Sequence, residues 1–416
     1  MKKVMCLCAL LIGGAGALSA QKKGFDYKFY GQVRMDFYYN SRANSETVDG
    51  LFYMYPQDTR LDAAGQDLNA VANSNFYTLY SRVGVDVAGP QLGNIQTSAK
   101  VEVDFRGSGT SYSMFRMRHV YFNLAWNHSS LLVGQTWHPL YGDVAPEILN
   151  LNMGAPYQPF SRAPQIRYRL AYKHLVLTAA AIWQSQYLSV GPSSTRVGAV
   201  STAKSAEFMK KSNVPEFYVG ADYKNETLLA GAGVHVGSIV PRTESVDDNG
   251  NVYKVDERVT GVSAEAHLKY KQNNWLVAAK TVLGTNLTQT STVGGYGITA
   301  IDKVTGEQDY APLRTSATWV NVAYGKKWRP ALFFGYLKNL GASEEVTLGK
   351  IGTGTGLDQL FTGTAELTYN LPNWKFGAEY SVCNAWYGDE FDPKGKASTS
   401  HDVLNHRLVL TAIFQF

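Results

Sequence analysis

Three side chains able to act on a charged solute stand at every second position of one short stretch: Gln165, Arg167 and Arg169. Residues two apart on a β-strand share a face. Two guanidiniums and an amide offer no nucleophile and no general base. They offer fixed positive charge and hydrogen-bond donors, so the chemistry available is electrostatic selection of an anion. The residues between and after them, Ile166, Tyr168, Leu170 and Tyr172, are apolar or aromatic. A strand with arginines on one face and such residues on the other separates two solvents. The arginine face reads as lining a water-filled lumen and the other as facing lipid. Just upstream, a strand ending Gly134-Gln135-Thr136-Trp137 opens into a segment with Pro139, Pro146, Pro156 and Pro159. That segment carries Asp143 and Glu147 and closes on Arg162 and Pro164.

The elements that must position these residues show the same two-faced pattern. Earlier strands place Arg34, Arg82, Lys100 and Arg106 on their polar faces, making a basic ladder with Arg162, Arg167 and Arg169. Asp36, Asp86, Glu102 and Asp104 share those faces, which leaves open how much of the ladder is paired. Arg116 and Arg118 fall on the lipid phase if Val120, Phe122 and Leu124 do. A midplane arginine facing lipid costs about 2–4 kcal/mol, so these two must lie above the membrane or follow a bulge. Strands of about ten residues are joined alternately by short turns and long polar loops, the pattern of a transmembrane β-barrel with short periplasmic turns and long extracellular loops. The predicted long loops are about 41–73, 137–163, 188–213, 239–256, 288–313, 340–356 and 387–403. Beside the short turns stand Tyr172, Tyr223, Tyr270, Tyr324 and Tyr369, with Trp126, Trp275, Trp328 and Trp374, an interfacial aromatic girdle. The fold class predicted is therefore all-β: an antiparallel barrel of about 16 strands. Its proline-rich third loop is expected to fold inward and to bring Asp143 and Glu147 to the lumen. The strands around 228–238 and 331–339 have weak polarity contrast.

Composition excludes other classes. The 416 residues carry a net charge of +5, too small and too dispersed for a nucleic-acid binder. Mean hydropathy is −0.20, and past the first twenty residues no apolar run reaches the roughly 18 of a spanning helix. Residues 1–20 read as a secretory signal peptide: Lys2 and Lys3, an apolar core from Val4 to Leu11, then small residues to Ala20. The barrel would occupy 21–416. Cys6 and Cys8 fall inside the signal, so the mature chain keeps Cys383 alone and no intramolecular disulfide. Asn127-His128-Ser129 sits in a tight turn and cannot form a hydrolytic trio. Asp247-Asp248-Asn249-Gly250 lacks the later ligands of a calcium loop, and the histidines lack metal-ligand spacing. No enzyme, cofactor or metal is expected.

At Gly134-Gln135-Thr136-Trp137 and Arg162-Ala163-Pro164-Gln165-Ile166-Arg167-Tyr168 the sequence resembles the DcaP-like porins, relatives of the sixteen-stranded trimeric porins. Gln135, Trp137, Arg162, Gln165 and Arg167 match the motif. The resemblance is strongest over about 76–185. It implies a homotrimer in the bacterial outer membrane, an inward third loop, and uptake of small anionic solutes such as dicarboxylates. The chain also ends Ile413-Phe414-Gln415-Phe416. A terminal Phe416 with Phe414 two residues earlier resembles the signal read by the barrel-assembly machinery. The alternative is a surface-interaction barrel, an adhesin or scaffold, with a closed lumen.

Overall fold

The structure is a computed structural model that describes residues 24–47, 52–106 and 114–416. The predicted signal segment, 1–20, lies outside the described residues. Among those residues, sixteen antiparallel strands close into one barrel. β1 is Asp26–Asn40, β2 the interrupted pair Asn73–Tyr77 and Arg82–Ala88, β3 Gln96–Arg106 and β4 Met114–Trp126. β5 is Ser129–Trp137, β6 Arg162–Tyr172, β7 Leu175–Ile182 and β8 Glu216–Lys224. β9 is Leu228–Ile239, β10 Val259–Gln272, β11 Trp275–Thr285 and β12 Gln308–Tyr324. β13 is Trp328–Gly341, β14 Leu357–Asn370, β15 Trp374–Phe391 and β16 Ala397–Gln415. Each pairs with the next, and β16 closes the ring on β1, with Gln32 opposite Gln415 and Asn40 opposite Arg407. The two stretches of weak polarity contrast are thus true barrel strands, β9 and β13.

Period-two burial follows from the two solvents. On β6, Ile166, Tyr168 and Tyr172 are exposed outward, while Gln165 and Arg167 are buried inward. The girdle forms as read. Trp275 is the register partner of Tyr324 and Trp328 of Tyr369, with ring centroids 4.7 and 4.5 Å apart. Asn273 and Asn274, both at positive φ, make the tight turn that joins β10 to β11. At the seam, Phe416 exchanges backbone hydrogen bonds with Gly31, and Phe414 packs on Trp374 at 4.8 Å.

Three predictions of local structure need correction. The loop expected at 387–403 is mostly strand: β15 runs to Phe391 and β16 restarts at Ala397. At 18 and 19 residues these strands exceed the roughly 9–11 that cross a bilayer. Their upper ends project past the membrane, where a hairpin needs no apolar face, so polarity hid them. Likewise, 288–313 holds the strand Gly294–Ile301 and the start of β12. The segment 41–73, read as a polar loop, contains a hairpin of Asn44–Thr47 with Phe52–Pro56 whose second strand is buried throughout.

Arg116 and Arg118 are buried inside the barrel, at 3% and 1% exposure. A bulge allows this. Glu102 pairs with His119 but Val103 pairs with Met117, so Arg118 is the extra residue and the phase of β4 flips. Close by, Gly134 on β5 has φ +131, and a Cβ there would lie 2.3 Å from the Val120 carbonyl oxygen. Gly134→Ala is therefore expected to lower stability by about 1–3 kcal/mol or more. An unchanged urea midpoint for the detergent-solubilised barrel would refute this.

Candidate functional site

The third loop, 138–161, crosses the lumen and docks on the far wall. Its prolines and Gly154 (φ +86) keep it compact, and its backbone is gripped from several strands. Lys280 Nζ on β11 donates to the carbonyls of Leu140 and Tyr141 at 2.7 and 2.8 Å. Asn321 on β12 accepts from Glu147 N, and Trp319 Nε1 donates to Gln158. The amides of Leu149 and Asn150 donate to carboxylates on β14 and β15, and Arg34 on β1 donates to the Leu149 carbonyl. Apolar packing completes the dock. Phe160 meets Phe52 of the first-loop hairpin edge-on at 4.7 Å, and Tyr157, Phe52, Trp319, Phe333, Leu357 and Leu360 share one buried cluster.

Between this loop and the near wall lies a cavity of about 360 Å³. Arg34, Arg82, Lys100, Arg118 and His119 line one side, and Ile148, Asn150, Leu151 and Met153 the other. The basic wall is heavily paired. Arg34 meets Asp36 at 2.8 Å and Lys100 meets Asp86 at 2.8 Å. Arg118 bridges Glu102 at 2.5 Å and Asp104 at 2.7 Å, Arg116 meets Asp104 at 2.6 Å, and Arg82 stands 3.7 Å from Glu102. Arg162 is fully buried beneath Trp137, Phe160 and Tyr187; it donates to Tyr187 and has no carboxylate partner among the described residues. Six cations thus face four acids along this wall, an excess of two positive charges.

The remaining predicted residues separate. Asp143 and Glu147 do not line the cavity. Asp143 stands 3.4 Å from Arg169, and Glu147 holds Lys269 at 3.1 Å and Arg329 at 2.8 Å. Burial opposes ionisation of both acids, but Arg169 and Arg167 outweigh it at Asp143, and Lys269 and Arg329 at Glu147. Both carboxyls are held below their ordinary range. Gln165 is buried and caps the carbonyls of Thr136, Trp137 and Ala163, while its amide oxygen accepts from Arg167. Arg167 also donates to the Trp137 carbonyl and has no carboxylate partner among the described residues. The side chain of Arg106 lies outside the described residues. Sequence reasoning left Arg116 and Arg118 undecided and missed Tyr80, Lys280 and Phe52. A run of five non-alternating residues, Phe52 to Pro56, was the available sign of burial on both faces.

Folding also brings together His138, Glu216 and His235, drawn from three distant segments. Leu140 N donates to His138 Nδ1 at 3.1 Å, which places that ring's proton on Nε2, facing Glu216. A metal on Nε2 would need the proton on Nδ1 instead. Glu216 also accepts from His235, Gln289 and Gln184. The trio is a hydrogen-bonded hub fastening the root of the third loop to β8 and β9.

The family described as DcaP outer membrane protein matches residues 16–183, the part that holds the basic wall and the third loop. Over those residues, about two fifths of the chain, it is similar to the DcaP family. Among solved structures, the outer membrane channel DcaP of Acinetobacter baumannii superposes with a TM-score of 0.66 at 18% identity, covering 95% of this chain and 99% of that one. OmpT of Vibrio cholerae, in trimer form, gives 0.54 at 12% identity over 95% and 100%. An anion-selective porin from Comamonas acidovorans gives 0.53 at 10% identity over 94% and 100%. At these identities the likeness is one of fold. No curated protein sequence matches the chain. The barrel fold and the matched segment together place the chain in the bacterial outer membrane.

Proposed function

We propose that this barrel is a passive-diffusion porin, assembled as a homotrimer, that admits small hydrophilic solutes and prefers anions such as dicarboxylates. One observation carries the reading. The cavity beside the third loop has a basic wall with two more cations than acids, while Asp143 and Glu147 are turned away onto Arg169, Lys269 and Arg329. An unpaired cation about 5 Å from a permeating anion in bulk-like water is worth roughly 0.8 kcal/mol, about four-fold. Two give about sixteen-fold at low salt, weakened by screening. That suits a filter through which solutes pass, not a tight binding site. The DcaP channel and the anion-selective porin among its structural relatives support the same reading, as the trimeric form of OmpT supports the trimer. The barrel-assembly machinery is the expected reader of Phe414 and Phe416.

The second reading, a closed surface-interaction barrel, draws on the apolar dock that the first and third loops make inside the barrel. Planar bilayers separate the two. Purified protein is expected to give stepwise ohmic conductance, with a reversal potential favouring anions under a salt gradient. No steps at all would support the closed barrel. Arg167→Glu and Arg169→Glu should each move the reversal potential toward cations, because each puts a negative charge where the lumen wall carries a positive one. No shift in either variant would overturn the anion preference.

A further inference from the structure

Glu366 on β14 and Glu379 on β15 are direct cross-strand partners whose carboxylates reach the same atom. Leu149 N lies 2.6 Å from Glu366 Oε2 and 2.8 Å from Glu379 Oε2, and Asn150 N lies 3.0 Å from Glu379 Oε2. Both acids are buried, and Glu379 Oε1 has no partner. Two carboxylates converging on one N–H repel each other strongly, and a proton held between them is the simplest way to relieve this. The charged groups facing the pair are Arg329 on β13, Lys375 on β15, Arg407 on β16, Arg34 with its partner Asp36 on β1, and Glu147 on the loop. Arg34 is paired with Asp36, and its second contact is the Leu149 carbonyl, so it steadies the loop rather than the acids. Arg329 is drawn onto Glu147.

We propose that Glu366 and Glu379 are positioning residues that seat the constriction loop through one shared proton, and that loss of this proton unseats Leu149 and Asn150 into the cavity. The balance is simple: the proton leaves to solvent, one buried negative charge appears, and no bond to carbon changes. The geometry sets the direction. Residues 148–151 meet the acid pair on one side and border the cavity on the other. Release from the acids moves them toward Arg34 and Arg118. The opening narrows and the lumen becomes more negative, so conductance and anion preference fall together.

This rests on the porin reading, and the experiment separates the two failures. Single-channel conductance and reversal potential of the full-length protein are recorded from neutral to alkaline pH. A protein that never conducts refutes the porin reading. A protein that conducts with no alkaline fall refutes the shared proton. In Glu366→Gln an amide N–H replaces the shared proton and cannot be lost, so the alkaline fall is expected to disappear. Glu379→Gln is a second route to the same result should the first variant fail to assemble. If both variants show the wild-type fall, other groups are responsible and the proposal is overturned.

Discussion

Arg118→Ala is expected to be the most damaging single substitution in the lumen, lowering stability by about 3–5 kcal/mol and shifting selectivity toward cations. Arg118 is 1% exposed and is held between Glu102 and Asp104, with Tyr80 against its Nη1. Removing it leaves two buried acids with two remaining guanidiniums: Arg116, already spent on Asp104, and Arg82, at 3.7 Å from Glu102. Breaking a buried pair costs far more than the pair is worth, because the orphaned charge stays desolvated. The variant also removes half of the excess positive charge on the wall. Arg118→Lys should recover only part of the loss, since one ammonium cannot reproduce a fork that spans two carboxylates. Urea unfolding followed by heat-modifiable mobility reads the first effect, and reversal potential the second. An alanine variant with wild-type stability would mean that water reaches Glu102 and Asp104 freely.

Arg118 also shows where sequence reading stopped. The barrel, its sixteen strands, the girdle and the inward third loop were legible because each rests on a repeating constraint: two solvents, a membrane of fixed thickness, and turns alternating in length. The phase of β4 was not legible. One extra residue reverses every side chain beyond it, and nothing local to Met117-Arg118-His119 announces the bulge; only the cost of arginine in lipid hinted at it. Pairing was equally opaque. Asp143 and Glu147 were expected at the constriction on the strength of their loop, yet their partners Arg169, Lys269 and Arg329 lie up to 182 residues away. Gln165 looked like a polar lumen residue and instead satisfies three carbonyls where β5 gives way to the loop.

The first-loop hairpin is the other large effect, and it tests how far the lumen is plugged. Phe52 is fully buried against Phe160, and Tyr53, Met54 and Tyr55 belong to the same cluster as Phe333, Leu357 and Cys383. The base of the hairpin is closed by Gln57 N donating to the Ala43 carbonyl at 3.0 Å. Residues 44–56 can therefore be replaced by a two-residue Asn-Gly turn without moving Arg42 or the strands. This excision is expected to enlarge the conductance steps while exposing Phe160 and Phe333 to the lumen. Phe52→Ala alone should behave differently. It removes one aromatic ring from a packed cluster, at about 3–5 kcal/mol, but leaves the backbone of the hairpin in place, so stability falls with little gain in conductance. The two variants separate a plug from a brace. Larger steps only in the excision variant would show that the hairpin obstructs the path. Unchanged steps in both would show that ions pass beside the basic wall alone and that the hairpin serves only to hold the third loop down.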